Sequence, residues 1–419
     1  MDRIRDKVQC NPTVKLTKGE MYPFVGIDRI TSGNRDIAIA DKEVYSGQSC
    51  SKFRKGDTIM ARITPCLENG KIAQYNLDSE IAMGSTELFV FREIENISDK
   101  DYIYYLISTD YVRNNAVNSM TGASGRQRAD IKFIGKLKWN FPEYDVQCKI
   151  GKILSTYDDL IEKNNRKIEI LQDMAEELYK EWFVRFRFPG YKTVERKESA
   201  LGSIPSSFDV LKMTDVFDNY IGGGWGNDDE NTQYCVPAFV IRGTDFPSVT
   251  KGDISTCPYR WHKESNYKSR QLKPNDIVIE ISGGTAEQPV GRVILIDDDL
   301  IKRFGNKVIC ASFCKQVSLK QDRISPVYFY YWMKFLYDTR MIDRFQLQST
   351  GIINFKFEYF VRKGDVLLPP RTLMDKFDNI VTKMRKNISR LAEQNDLLKQ
   401  QRDLLLPRLM SGKLAVKVS

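Results

Sequence analysis

Histidine is almost missing from this sequence: His262, in "YRWHKE", is the only one in 419 residues. One imidazole cannot supply the paired histidines of a zinc finger, and no serine or cysteine stands near it as a nucleophile. His262 is therefore not expected to be catalytic. The eight cysteines form no C-x-x-C, and the closest two are Cys310 and Cys314. That pattern argues for reduced thiols in a cytoplasmic protein. No apolar run is long enough to cross a bilayer, and the opening "MDRIRDKVQCNPTVK" has no apolar signal core. Neither G-x-x-x-x-G-K-[ST] nor G-x-G-x-x-G occurs, nor the G-x-S-x-G turn of a hydrolase. Gly222-Gly223-Gly224-Trp225 matches neither phosphate fingerprint and reads as a flexible turn; Asp297-Asp298-Asp299 reads as a solvated turn. No complete active site can be assembled, so no catalytic residue and no metal site are expected on this chain.

What the sequence does have is repetition. Its length calls for two domains or more. Ile150, Leu154, Tyr157, Ile161, Asn164, Ile168, Leu171, Ala175, Leu178 and Trp182 step by four and three, the 3.5-residue period of a coiled-coil seam. Shifted by 227 positions (150 to 377), the same steps land on Phe377, Val381, Met384, Ile388, Leu391, Asn395, Leu398, Arg402, Leu405 and Leu409. Pro142 and Pro369-Pro370 stand before the two helices, and Gly190 and Gly412 beyond them. Such a stripe cannot stay in water, so the two helices are expected to bury each other, with Asn164 and Asn395 as polar interruptions that set register. The alternative is that each helix packs only on its own neighbouring module.

The segments before the helices echo each other in the same order. "FRKGDTIMARI" (Phe53–Ile63) matches "LKPNDIVIEIS" (Leu272–Ser282), "GKIAQY" (Gly70–Tyr75) matches "GRVILI" (Gly291–Ile296), and "YPFVGIDRI" (Tyr22–Ile30) matches "PAFVIRGTDF" (Pro237–Phe246). "YIYYLI" (Tyr102–Ile107) pairs with "VYFYYWM" (Val327–Met333), and "MTGASG" (Met120–Gly125) with "STGIIN" (Ser349–Asn354). These read as short strands with Gly and Asp turns plus one aromatic helix, twice over. The expected organisation is a first module over 1–141, a helix over 142–185, a linker over 186–207, a second module over 208–368 and a helix over 369–412. The fold class is α+β: two pseudo-repeated mixed α/β domains joined by two long helices that form an antiparallel coiled coil. The second module opens with a longer lead, "GSIPSSFDVLKMTDVFDNYIGGGW", whereas the first starts abruptly at Met1; a shorter type of domain and a truncated one both account for this.

This order, with "YDDLIEKNNRKIEILQDMAEELYKEWFVRFRFPG" in the middle and "LLPP…NDLLKQQRDLLLPRLMSGKL" at the end, resembles the specificity subunit of type I restriction–modification systems. The resemblance covers essentially the whole chain. Its most specific parts are Trp182-Phe183-Val184, Phe188-Pro189-Gly190 and the run Leu404–Leu414. It implies two target-recognition domains, each reading half of a bipartite site in double-stranded DNA. It also implies a helical pair acting as a ruler that docks two modification subunits and, through the complex, two restriction subunits. No cofactor is then expected on this chain: S-adenosylmethionine belongs to the modification subunit, and ATP and Mg²⁺ to the restriction subunit. No "NPPY" or "DPPY" methyltransferase tetrapeptide occurs here, which agrees with that division of labour.

A net charge of +9 permits a polyanion partner. Within such readers, basic residues hold phosphates while Arg, Asn, Gln and Ser/Thr in loops read base edges. The candidates in the first module are Arg62, Asn69, Lys71, Ser124, Arg126, Gln127 and Arg128, the last four inside "GASGRQRAD". In the second they are Trp225, Arg242, Arg260, Lys263, Arg270, Gln288 and Arg292. Two rival readings stand beside this one. A stand-alone bipartite DNA-binding or scaffold protein would use the same architecture without methyltransferase partners. A hidden nuclease is suggested by "PNDIVIEIS" (Pro274–Ser282), but it lacks a lysine two positions after Glu280, and its counterpart Lys55–Ile63 lacks the glutamate.

Overall fold

A computed structural model describes residues 1–37, 40–123, 125–285, 288–349 and 352–416. It divides into two compact units, one made of Met1–Lys163 with the chain from Asn395 onward, the other of Asn164–Gln394.

In the first unit, the near-continuous apolar stretches "TIMA" and "LFVFRE" form adjacent antiparallel strands, Thr58–Ala61 and Leu88–Glu93, buried over almost their whole length. Such runs suit a sheet covered on both faces. Val8–Cys10 and Ile72–Gln74 complete that sheet on its two sides. A second sheet has the order Asp41–Val44, Met21–Val25, Ile81–Gly84, Ser51–Arg54, in which the two central strands are parallel. The second unit repeats the plan. Ile277–Glu280 and Cys314–Leu319 are central, flanked by Val293–Leu295 and Phe217–Gly222, and a parallel pair, Val236–Ile241 with Val308–Cys310, sits in the other sheet. Both units tie their opening strand to a late one, Asp2–Arg3 to Lys138–Trp139 and Asp209–Lys212 to Asp365–Leu368. The matched Asp turns are alike in detail: Asp57 and Asp276 are buried, and each accepts a backbone N–H from three residues earlier at 2.7 Å. The carboxylate–N–H bond closes the turn that launches the central strand.

The aromatic segments are helices, Lys100–Ser108 capped by Asp99 and Pro326–Asp338 capped by Ser325. They pack against the long helices, which run Tyr144–Tyr179 and Arg371–Met410. Every seam position read from the 3.5-residue period is buried or half-buried. In the second unit Phe183 meets Phe377 at 5.1 Å between ring centroids, Ile168 clusters with Ile388 and Ala392, and Asn164 donates to Gln394 at 3.2 Å. In the first unit Ile150 and Leu154 share a core with Leu409 and Met410, and Asp158 pairs with Arg402. Numbers rise on one helix as they fall on the other, so in each unit the pair is antiparallel. The same residues also join the cores of the modules: Tyr179 contacts Tyr328 and Tyr331, and Leu154 lies in one cluster with Tyr102 and Tyr105. Helix pairing and helix-on-module packing, posed above as alternatives, occur together.

Two local expectations need correction. Residues 186–207, expected as a linker, are packed chain: Arg196–Ser199 and Gly202–Pro205 form a hairpin, and Phe188 and Ile204 are buried in the second unit's core. Asp297 does not sit in a solvated turn; it caps the helix Asp298–Arg303 and accepts from Arg385 of the second long helix at 2.9 Å. Arg402, the charged exception in the seam, is a buried ion-pair partner of Asp158.

Asp378, on the second long helix, yields a pH prediction. One carboxyl oxygen is buried with no partner among the described residues, and burial pushes the pKa up to about 6 although the Ser325 hydroxyl opposes the shift. An unfolded aspartate titrates near ~3.9. The folded chain therefore holds the proton more tightly, and stability falls as pH rises from about 4 to about 6. Asp378→Asn should raise stability at pH 7.5 by roughly 1–2 kcal/mol, less than the full shift implies because the site is partly exposed. The gain should shrink towards zero at pH 4 in thermal unfolding. An equal gain at both pH values would assign the effect to something other than the charge.

Candidate nucleic-acid interface

Two stretches of the first unit that are far apart in sequence meet at one edge. Past the strand Thr58–Ala61, the Arg62 carbonyl accepts from the Ala129 amide at 2.8 Å, and Ile63 bridges to Arg128. The Thr64 amide donates to the Gln127 carbonyl, and the Gln127 amide to the Thr64 hydroxyl, both at 3.1 Å. Candidates Arg62, Gln127 and Arg128 are thus brought together, and Asn69 and Lys71 follow in the turn after Thr64. Ser124 lies outside the described residues.

Their side chains are not equally available. Arg128 makes a bidentate pair with Glu87, with its Nη2 at 2.6 Å, and this holds the Glu87 carboxyl below the usual range. Arg62 lies over the Phe89 ring at 4.8 Å, and its Nε is buried without a partner among the described residues. Lys71 donates to the Ile27 carbonyl at 2.8 Å. Asn69 and Arg126 are exposed, and among the described residues neither side chain has a hydrogen bond or an ion pair. Gln127 is half-buried.

In the second unit the corresponding edge is formed by Ser282–Gly284 paired with Ile352–Phe355, the Ser282 hydroxyl donating to Asn354 at 2.6 Å. Arg292, which precedes the strand Val293–Leu295 as Lys71 precedes Ile72–Gln74, makes a bidentate pair with buried Glu280 at 2.7 and 2.8 Å. Arg242 is held by buried Asp245 at 2.8 and 2.9 Å and by the Thr256 carbonyl. Both arginines are committed to buried carboxylates and serve the framework. Gln288 is exposed, its side-chain amide 2.9 Å from the Arg292 guanidinium.

The glycine run is not a flexible turn. After Phe217–Gly222 it continues as a close-packed arm: a Cβ on Gly223 would stand 2.2 Å from the carbonyl oxygens of Cys310 and Ala311. Asn227 then exchanges backbone hydrogen bonds with Trp261 at 2.8 and 3.0 Å. Arg270 donates to the Gly222 carbonyl and Arg260 to the Trp225 carbonyl, at 3.0 and 2.8 Å. Arg260 also pairs with Asp228 and lies 4.4 Å from the centroid of the Trp225 indole, which is 41% exposed. Lys263 sits over Tyr234 at 5.3 Å. His262 is buried beneath this arm, where burial lowers its pKa, and a Cβ on Gly226 would come within 2.7 Å of its ring. Its role there is packing.

An exposed indole with a guanidinium on its face can stack on bases and neutralise phosphates. Sequence reasoning missed the carboxylates that orient these cations, Glu87, Asp228, Asp245 and Glu280. Glu87 lies 41 positions from its arginine, a separation that leaves no periodic trace. Among the described residues no group of three or more His, Cys, Asp or Glu could hold a metal ion. No described helix is long and apolar enough to cross a membrane.

Residues 7–172 match the model of the type I restriction modification DNA specificity domain. The type I restriction enzyme MjaIX specificity subunit of Methanocaldococcus jannaschii is 23% identical over 80% of this chain and 75% of that protein. The MjaVIII specificity subunit of the same organism is 22% identical over 94% of this chain and 87% of that protein. Among solved structures, a type I restriction–modification S subunit from M. genitalium aligns over 99% of this chain and 96% of its own, with a TM-score of 0.52 at 13% identity. At that identity the likeness speaks for the fold alone.

Proposed function

We propose that this chain, like the type I restriction enzyme specificity subunits it is similar to, reads a bipartite DNA site for a methylating and restricting complex. The observation that carries this reading is the doubled module: the same order in the four-stranded sheet built on the central strands, and one buried Asp turn launching a central strand, occur in each unit. Both are built on the same two helices. Each unit addresses one half-site, and the base pairs between them need not be contacted. The helical pair acts as a ruler, since a helix advances about 1.5 Å per residue and duplex DNA about 34 Å per turn.

In this reading the chemistry belongs to the partners. Two modification subunits carry S-adenosylmethionine and methylate adenine; two restriction subunits use ATP and Mg²⁺. Exposed Asn69, Arg126, Trp225 and Gln288 are the foremost base-reading candidates, with Gln127 and Lys263 beside them. Arg62, Lys71, Arg128, Arg260 and Arg270 combine framework contacts with positive charge near the phosphates.

Sequencing genomic DNA for methylated adenine, with and without this gene, tests the proposal. A bipartite motif should vanish on deletion. An unchanged methylation pattern, together with a purified chain that binds DNA without any methyltransferase partner, would favour the stand-alone binder instead.

A further inference from the structure

We propose that Phe313 is an apolar base contact in the half-site addressed by the second unit. This rests on the DNA-reading role above and adds a residue to it. Phe313 is 67% exposed, the most exposed aromatic ring among the described residues. A ring so placed forgoes the burial that takes most phenylalanines inside.

Its backbone is nevertheless pinned. In the turn after Val308–Cys310, the Ala311 amide donates to Ile241, the Cys314 amide to Ala311, and the Ile281 amide to the Phe313 carbonyl, each at 2.9 Å. The first unit has the same three bonds: Ser85 to Val25 at 3.1 Å, Leu88 to Ser85 at 3.2 Å and Arg62 to the Glu87 carbonyl at 2.9 Å. Phe313 and Glu87 therefore occupy equivalent places. In the first unit that place is satisfied internally, because Glu87 is clamped by Arg128. In the second, Asn354 stands where Arg128 does and bonds to Ser282, which leaves the ring at 313 free to meet a ligand.

The surroundings say which ligand. The glycine arm lies along the same turn, Gly224 donating to Cys310 at 2.9 Å and Gly223 to Cys314 at 3.0 Å, and leads to Trp225 with Arg260 on its face. On the other side Ile281 runs directly into the edge strand Ser282–Gly284. Phe313 thus stands between the two segments that carry the candidate contacts, with Arg260, Arg270 and Lys263 supplying charge suited to a polyanion. An exposed ring on a backbone held in this way packs on a thymine methyl or enters a base step, with no ordering of the backbone to be made on binding.

The test uses the full chain co-expressed with its modification subunits, and duplexes bearing the methylation motif of the wild-type system. Phe313→Ser should weaken cognate binding by about 10- to 100-fold. The slope against salt should not change, because no phosphate contact is lost. Phe313→Leu should keep most of the affinity, and the melting temperature should stay at the wild-type value. Cognate binding within about twofold of wild type would overturn the proposal; so would an equal loss on non-cognate duplex, or loss of the modification subunits from the complex. If the wild-type system methylates no bipartite motif, the functional reading itself falls and takes Phe313 with it. A motif with an unaffected Phe313→Ser variant removes Phe313 alone.

Discussion

Replacing Arg402 by methionine should cost the first unit about 3–5 kcal/mol, the usual penalty for stranding a buried charge. Asp158 is 5% exposed at its side chain and Arg402 is 10%. The Tyr105 hydroxyl donates to the other carboxylate oxygen, and Arg402 also reaches the Gly33 carbonyl at 3.3 Å. Burial pushes the Asp158 carboxyl up, against the opposing pull of Arg402. Take the guanidinium away and that carboxylate must be protonated or find another partner. The pair itself need not be stabilising, because well-packed apolar side chains of similar volume often do as well. Asp158→Leu with Arg402→Met should therefore recover most of the loss. The Tyr105 hydroxyl would then be orphaned, at roughly 1–3 kcal/mol, until Tyr105→Phe is added. Denaturant unfolding of the three variants reads this order directly. A single Arg402→Met variant within about 1 kcal/mol of wild type would show that the charge is not as buried as its contacts indicate.

Lengthening both long helices by one heptad, between Lys163 and Asn164 and between Gln394 and Asn395, should lengthen the spacer of the methylated motif. Seven residues add about 10 Å, on the order of three base pairs. The heptad keeps the apolar stripe in phase, whereas an insertion in one helix alone would shift every later seam residue against its partner. The half-site sequences should stay the same, since the reading edges are untouched. Methylome sequencing of cells carrying the double insertion measures the spacer. The original spacing, retained by an active variant, would end the ruler reading while leaving DNA recognition standing.

The seam and the repeat were legible because each is a periodic property of the chain. Ile150, Leu154 and Ile161 announce a helix face by spacing alone, and "FRKGDTIMARI" finds its twin "LKPNDIVIEIS" without any knowledge of contacts. The candidate DNA-contacting edge was only half legible. The arginines could be named, but Arg126 and Arg292 look alike in a sequence, while the structure leaves one exposed and commits the other to Glu280. The glycine arm was misread for the same reason. Gly223 is close-packed because of Cys310 and Ala311, residues nearly ninety positions away that nothing local brings near.

By itself, then, the order of residues determined two modules of one design and two long amphipathic helices, since turn chemistry and hydrophobic period act over a few residues and need no partner. Only tertiary structure decided which charges are spent on other charges, that Arg402 meets Asp158, and that Phe313 stands where its counterpart Glu87 is clamped. Those outcomes depend on what lies across a sheet or a seam. A side chain's environment there is set by residues far along the chain, and its own neighbours in sequence carry no record of them.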